Sequence, residues 1–337
     1  MALRTAGVLA GWCAVLLACG VGAQSTGGSQ ARIEAGVEQL ASELAAICPL
    51  ANPGDQAAFD DCRRALFHDS LLRRRLSTIL LWGRPNPKPG EPLKDTTLTQ
   101  LAPEVWTGLY APLFMFDGTW TVEYHEGERL YRTRLGAGFR NALAPGQYPY
   151  PFWHSARKWD DYQNADTLVF WINPGSGSIV VGQFTNEGRE NARINLPVTR
   201  PPFDGRWMWT DPDGTMQPQP ALFQGLFAAD NPYLAQLEPC YRDLANAMRK
   251  GHCNDCHVPD NPKRMNRLVL LQTPANAASE IKRLMNAVRK NDMPVDETLL
   301  PLEIDAETKA ALLQYGAVFE AVVDAAREWE RTRSGPR

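Results

Sequence analysis

Cys253-Asn254-Asp255-Cys256-His257 is the stretch on which the reading of the chain turns. Just upstream, Tyr241, Leu244, Ala245 and Met248 recur at i, i+3, i+4, i+7, the spacing of one helix face. Pro239 suits the first turn of that helix, and Gly251 is a stop. The motif therefore leaves a helix and enters a segment carrying Pro259 and Pro262. Downstream, Ile281, Leu284, Met285 and Val288 repeat the helical spacing. A third stripe, from about Ala306 to Trp329, holds Leu312, Tyr315, Phe319, Val322, Val323 and Ala326. The last third of the chain is expected to be all-α. Three such helices alone would make a thin core.

Each position of Cys-x-x-Cys-His has its own chemical task. Two thiols at this spacing can add to the two vinyl groups of a haem as thioethers, and the adjacent imidazole is then placed under the iron. With seven Cys and five His in 337 residues, chance would produce the motif roughly 0.002 times in such a chain. A thioredoxin-type redox pair would follow a strand and open a helix, whereas this motif follows a helix. Half of a zinc site would need further ligands close by, and only His252 is adjacent. The expectation is one c-type haem, attached at Cys253 and Cys256, with His257 as the proximal ligand.

The sixth iron ligand must come from outside the motif. Met293 is the first candidate: it follows the second helix in Asp292-Met293-Pro294, and a residue before proline is pushed towards extended geometry. Met265 and Met285 compete, the second lying on the apolar stripe of its own helix. His125 and His154 lie far away in sequence, and His252 is badly placed to reach the opposite haem face. Lys250, Lys263, Arg264 and Arg267 surround the motif and can serve haem propionates or a partner's carboxylates, or simply form a solvated basic surface.

The order helix, Cys-x-x-Cys-His, proline-bearing loop, second helix, Met-Pro and long last helix resembles a small single-haem cytochrome c domain over roughly residues 231–330. The resemblance implies that the first and last helices cross in contact, bringing the Tyr241–Met248 face against Gly316–Phe319. It also implies that Pro259 or Pro262 lines the proximal side. The connection from His257 to Met293 is shorter than the family pattern, and the last helix extends past Val323.

The rest of the chain reads differently. Arg4 and the apolar run Ala6 to Ala18 form a targeting segment too short to span a bilayer. Val21-Gly22-Ala23 fits a signal-peptidase site, giving a signal peptide over 1–23. Leu16-Leu17-Ala18-Cys19 equally resembles a bacterial lipobox, which would end it at 18 and leave Cys19 lipid-anchored. Residues 24–32 then form a tether. Both readings mean export to the periplasm or cell envelope. In that compartment Cys48 and Cys62, 14 residues apart, are a natural disulfide, which stabilises by roughly 3 kcal/mol if unstrained. Cys240 is left over, as a small buried hydrophobe or a competing partner.

Residues 33–225 are expected to form an α+β domain with antiparallel strands, making the chain two-domain with residues 231–330. Ile33 to Ile47 and Asp55 to Leu81 read as helical, and Arg84 to Gly90 as a proline-rich loop. Thr119 to Tyr124 alternates as a strand. Leu168 to Ile172, the turn Asn173-Pro174-Gly175-Ser176-Gly177 and Ile179 to Phe184 read as a hairpin. Seven tryptophans from Trp106 to Trp209 read as core, or as a groove for flat ligands. No Gly-rich phosphate loop, serine-nucleophile elbow or metal-spaced His cluster occurs.

Net charge is −3, so no basic field argues for nucleic acid. From Asn231 onward 15 Lys/Arg balance 15 Asp/Glu, so long-range charge is not expected to dock a redox partner. Two function classes remain. One is an exported electron carrier with a His/Met haem, its partner protein unspecified. The other is a haem enzyme or sensor in which the N-terminal region binds substrate or supplies a ligand.

Overall fold

The computed structural model describes residues 25–67, 70–83, 93, 98–144, 147–149, 152, 156–185, 198–200, 207–210, 216–218, 223, 226–257, 271, 273–296 and 298–333. The targeting segment with Cys19, and also His154, Pro259, Pro262, Lys263, Arg264, Met265 and Arg267, lie outside the described residues.

The chain combines helices with a six-stranded mixed sheet. Helix α1 (Ser25–Ile47) buries Ile33, Val37, Leu40, Ala41 and Leu44 along one face and packs against the sheet. The tether expected over residues 24–32 is helical from Ser25. The cause is docking: Ser29 Oγ donates to Pro174 O at 3.4 Å, and the Arg32 guanidinium donates to the carbonyls of Pro174 and Gly175. Helix α2 (Gln56–Phe67) is joined to the end of α1 by the Cys48–Cys62 disulfide, with both cysteines fully buried.

The expected helix over residues 55–81 ends early. After α2 comes the single turn α3 (Leu71–Arg75), capped by Ser70, and then a strand, β1 (Leu76–Gly83). Leu76, Leu80 and Trp82 point into the core from β1, so burial in the sheet outweighs the helical tendency of the leucines. Next come β2 (Leu98–Leu101), the turn α4 (Pro103–Val105) with a π-helical turn over Trp106–Tyr110, β3 (Phe114–His125) and β4 (Leu130–Phe139). Helix α5 (Ala156–Tyr162), β5 (Thr167–Ile172) and β6 (Ile179–Thr185) follow.

Strand order is β2-β1-β6-β5-β4-β3. β5 and β6 form the expected antiparallel hairpin. Asn173 Oδ1 accepts from Gly175 N and Ser176 N in its turn, and Gly177 takes φ +72°. One pairing departs from the antiparallel expectation: β1 runs parallel to β6. The unrecognised strand enters beside β6 after a crossover, which makes the sheet mixed. β5 is buried on both faces, with Leu168, Phe170 and Ile172 to the main core and Val169 and Trp171 to a smaller cluster with Leu93, Leu98 and Val181. Trp82, Trp106, Trp159 and Trp171 are all buried.

A short pair, β7 (Trp207–Thr210) and β8 (Met216–Pro218), precedes three long helices: α6 (Leu234–Lys250), α7 (Pro274–Lys290) and α8 (Ala306–Arg333). α6 begins five residues before Pro239, which lies inside it. The carbonyl that loses its partner to proline belongs to Ala235, an exposed residue, so water can satisfy it. Tyr241 of α6 meets Phe319 of α8 at 5.9 Å between ring centroids, and Phe223 packs on both. A Cβ on Gly316 would collide with Met285 Sδ of α7. Tyr315, expected on the apolar stripe, is half-exposed at the surface. Buried residues of the sheet region and the helices form one continuous cluster. Among the described residues, no helix is long and apolar enough to cross a membrane.

Candidate functional site

The motif begins where α6 is forced to stop. Gly251, the C-cap, is buried, and a Cβ on it would meet Leu312 Cδ1 at 3.0 Å and Thr308 Cγ2 at 3.5 Å, both on α8. His252 then turns into the left-handed region at φ +60°. Cys253–Asp255 form a single 3-10 turn, in which Cys256 N and His257 N both donate to Cys253 O, at 3.3 and 2.9 Å. This tight turn holds the two cysteines and His257 on one short piece of backbone anchored to α8 through Gly251.

Cys253 and Cys256 are free thiols, both half-buried, and His257 is half-buried beside them. The Cys253 thiol donates to Gly251 O at 3.8 Å, and burial pushes its pKa up to about 12. Redox-active dithiols work by a lowered thiol pKa, so this environment opposes the thioredoxin-type reading. Among the described residues, no group of three His, Cys, Asp or Glu is placed to hold a metal. His252 projects into solvent with Nδ1 3.3 Å from Asp255 Oδ2, away from the thiols' half-buried surroundings.

Met293 follows the end of α7. α7 ends at Asn291 in the left-handed region (φ +57°), the usual exit for a helix closed by asparagine or glycine. Asn291 Oδ1 accepts from Lys309 Nζ at 2.5 Å. Lys309 adjoins Thr308, the residue that Gly251 packs against. Gly251, just before the motif, and Asn291, two residues before Met293, thus both reach the first turn of α8. Asp305 starts that turn, accepting Thr308 N at 2.8 Å, and this hydrogen bond holds its carboxyl below the usual carboxylate range.

The competing ligands fare differently. Met285 is buried in the groove beside Gly316 and fills space between α7 and α8. His125 sits edge-on to Trp171 at 5.3 Å on the sheet. Met293 is 40 % exposed, with Leu299, Leu300 and Leu302 exposed nearby in sequence. A thiol pair, an imidazole and a thioether are groups that a c-type haem would use.

The helices meet the sheet region at their opposite end. Glu104 of α4 pairs with Arg327 of α8 at 3.5 Å and accepts from Ser279 of α7 at 3.3 Å. Arg327 lies 19 residues beyond Thr308, about 28 Å along a helix. That the two thiols, His257 and Met293 are candidates was legible in sequence. The bracing by Gly251, Asn291, Thr308 and Lys309 was not, since only the packing of α8 brings these distant positions together. No family model, curated protein or solved structure matches the chain.

Proposed function

We propose that the chain is an exported electron carrier holding one covalent c-type haem in a cytochrome c-like C-terminal domain over residues 231–330. The observation that supports the reading is that Gly251, two residues before Cys253, and Asn291, two residues before Met293, both reach the first turn of α8, at Thr308 and Lys309. Cys253 and Cys256 would supply the thioethers, His257 the proximal nitrogen and Met293 the opposite sulfur. When bound, such a group would supply one-electron chemistry, at a potential that methionine ligation would raise.

The remaining work falls to this chain's residues. Leu244, Met248 and Leu312, fully buried, exclude water from the helix side of the site. The 3-10 turn fixes the imidazole relative to the two sulfurs, and a ligand set fixed in both oxidation states keeps reorganisation small. The buried Cys48–Cys62 disulfide supports an oxidising compartment outside the cytoplasm, where the periplasm or envelope is the proposed location. The enzyme-or-sensor reading needs an open iron position or a ligand from the sheet region, whose Glu104 contact lies about 28 Å along α8 from Thr308.

The test is covalency. The chain is produced with a haem-attachment system and run on a denaturing gel stained for haem. The parent is expected to retain stain and Cys253→Ser/Cys256→Ser to lose it. A parent without stain, but with normal yield, contradicts the proposal.

A further inference from the structure

We infer that Asp296 is a positioning residue for Met293, keeping its thioether at the iron by closing the hairpin that follows it; the inference rests on the haem reading above. After Met293 the chain folds back on itself. Leu302 N donates to Pro294 O at 2.8 Å, and Val295 pairs antiparallel with Pro301. Asp296 N donates to Leu300 O at 2.8 Å, and Leu299 N to Asp296 O at 3.1 Å.

At the centre is the Asp296 carboxylate. Its Oδ1 accepts Thr298 N at 2.7 Å, Thr298 Oγ1 at 2.7 Å and Leu300 N at 3.0 Å. Burial contributes little to closure, because Leu299, Leu300 and Leu302 are 68, 63 and 45 % exposed. Leu299 is even held in the left-handed region at φ +65°, which for a side chain of this kind opposes closure. Hydrogen bonds to an ionised acceptor are stronger than neutral ones, so the carboxylate adds three strong links across the tip to the backbone bonds of the stem. The stem it closes ends at Pro294, directly bonded to Met293. A thioether is a neutral, weak ligand, and its hold on iron depends on how seldom its loop swings away. Groups outside the ligand set commonly control ligand placement in this way.

The test uses the full matured chain and compares the parent with Asp296→Ala, Asp296→Asn and Thr298→Val. Haem content, the methionine–iron charge-transfer band, the reduction potential, carbon monoxide binding and the urea midpoint are measured for each. Asp296→Ala is expected to keep its haem, weaken the band, lower the potential and bind carbon monoxide at least tenfold faster. Tenfold corresponds to about 1.4 kcal/mol in the loop's open–closed equilibrium. Asp296→Asn, whose amide oxygen can accept the same hydrogens, is expected to restore most of the parent behaviour. Thr298→Val, losing only the hydroxyl donor, moves the same way by less and serves if Asp296→Ala fails to fold.

A haem-loaded Asp296→Ala with unchanged band, potential and carbon monoxide binding overturns the positioning role and leaves the haem reading intact. A lowered urea midpoint without those changes does the same. A parent lacking covalent haem overturns both.

Discussion

Replacing Gly316 by alanine should change sign in its effect on stability depending on what stands at position 285. In the parent, the added Cβ would collide with Met285 Sδ and lie 3.1 Å from its Cε. Met285 is 1 % exposed, so it has little room to retreat. Overpacking of this kind costs about 1–3 kcal/mol. Alanine in place of glycine in a helix interior returns about 1 kcal/mol. Gly316→Ala is therefore expected to lower stability by about 1 kcal/mol, with thioether flexibility keeping it from the high end. Met285→Ala alone should cost about 2–5 kcal/mol through the cavity it leaves. In that background the collision is gone, and Gly316→Ala should become stabilising by up to about 1 kcal/mol. The assay is urea unfolding of the four proteins, followed by circular dichroism. Coupling near 2 kcal/mol is expected, well outside the 0.3–0.5 kcal/mol scatter of independent sites. A stabilising Gly316→Ala in the parent, or additive effects across the cycle, would refute the close approach of α7 and α8.

Three further expectations follow from other parts of the molecule. Leu299→Gly removes a left-handed leucine that is 68 % exposed, so stability should stay level or rise by up to about 1 kcal/mol; a loss larger than this in urea unfolding would mean that Leu299 packs. The Asp305 carboxyl, lowered by its hydrogen bond from Thr308 N, stabilises the start of α8 while ionised. That contribution is fully present above the unfolded-state pKa of 3.8 and is lost as pH falls through the lower folded value. Asp305→Ala should therefore have a lower melting temperature than the parent at neutral pH and converge with it on acidification; a gap that widens in acid contradicts the cap. Cys48→Ser/Cys62→Ser should cost roughly 3 kcal/mol, from the loop its disulfide closes, and a urea midpoint equal to the parent's would show that the link contributes nothing.

The C-terminal helices were legible because their patterns are local. Leu237, Tyr241, Leu244 and Met248, like Ile281, Leu284, Met285 and Val288, are buried at helical spacing. The β5–β6 hairpin was readable from its Asn-Pro-Gly turn and apolar flanks, and the Cys48–Cys62 pair from its spacing. β1 was missed because Leu76-Ser77-Thr78-Ile79-Leu80-Leu81 carries no turn signal separating it from the preceding arginine-rich turn. Its strand state comes from β2 and β6 on either side, which are distant in sequence. The helical start at Ser25 likewise depends on a turn some 140 residues away, through Ser29 and Arg32. The hairpin after Met293 left a faint local trace, since Asp296 two residues before Thr298 is an aspartate-turn spacing. Which face of α8 would meet the ends of α6 and α7 had no local trace, because the contacts of Gly251 and Asn291 with Thr308 and Lys309 join three separate helices.

The most direct measurement is the optical spectrum of the matured chain and of Met293→Ala, each with and without carbon monoxide. A low-spin parent is expected, with a near-infrared methionine–iron band, no carbon monoxide shift, and both properties reversed in the variant. A high-spin parent that binds carbon monoxide readily would contradict His257/Met293 ligation and with it the electron-carrier function.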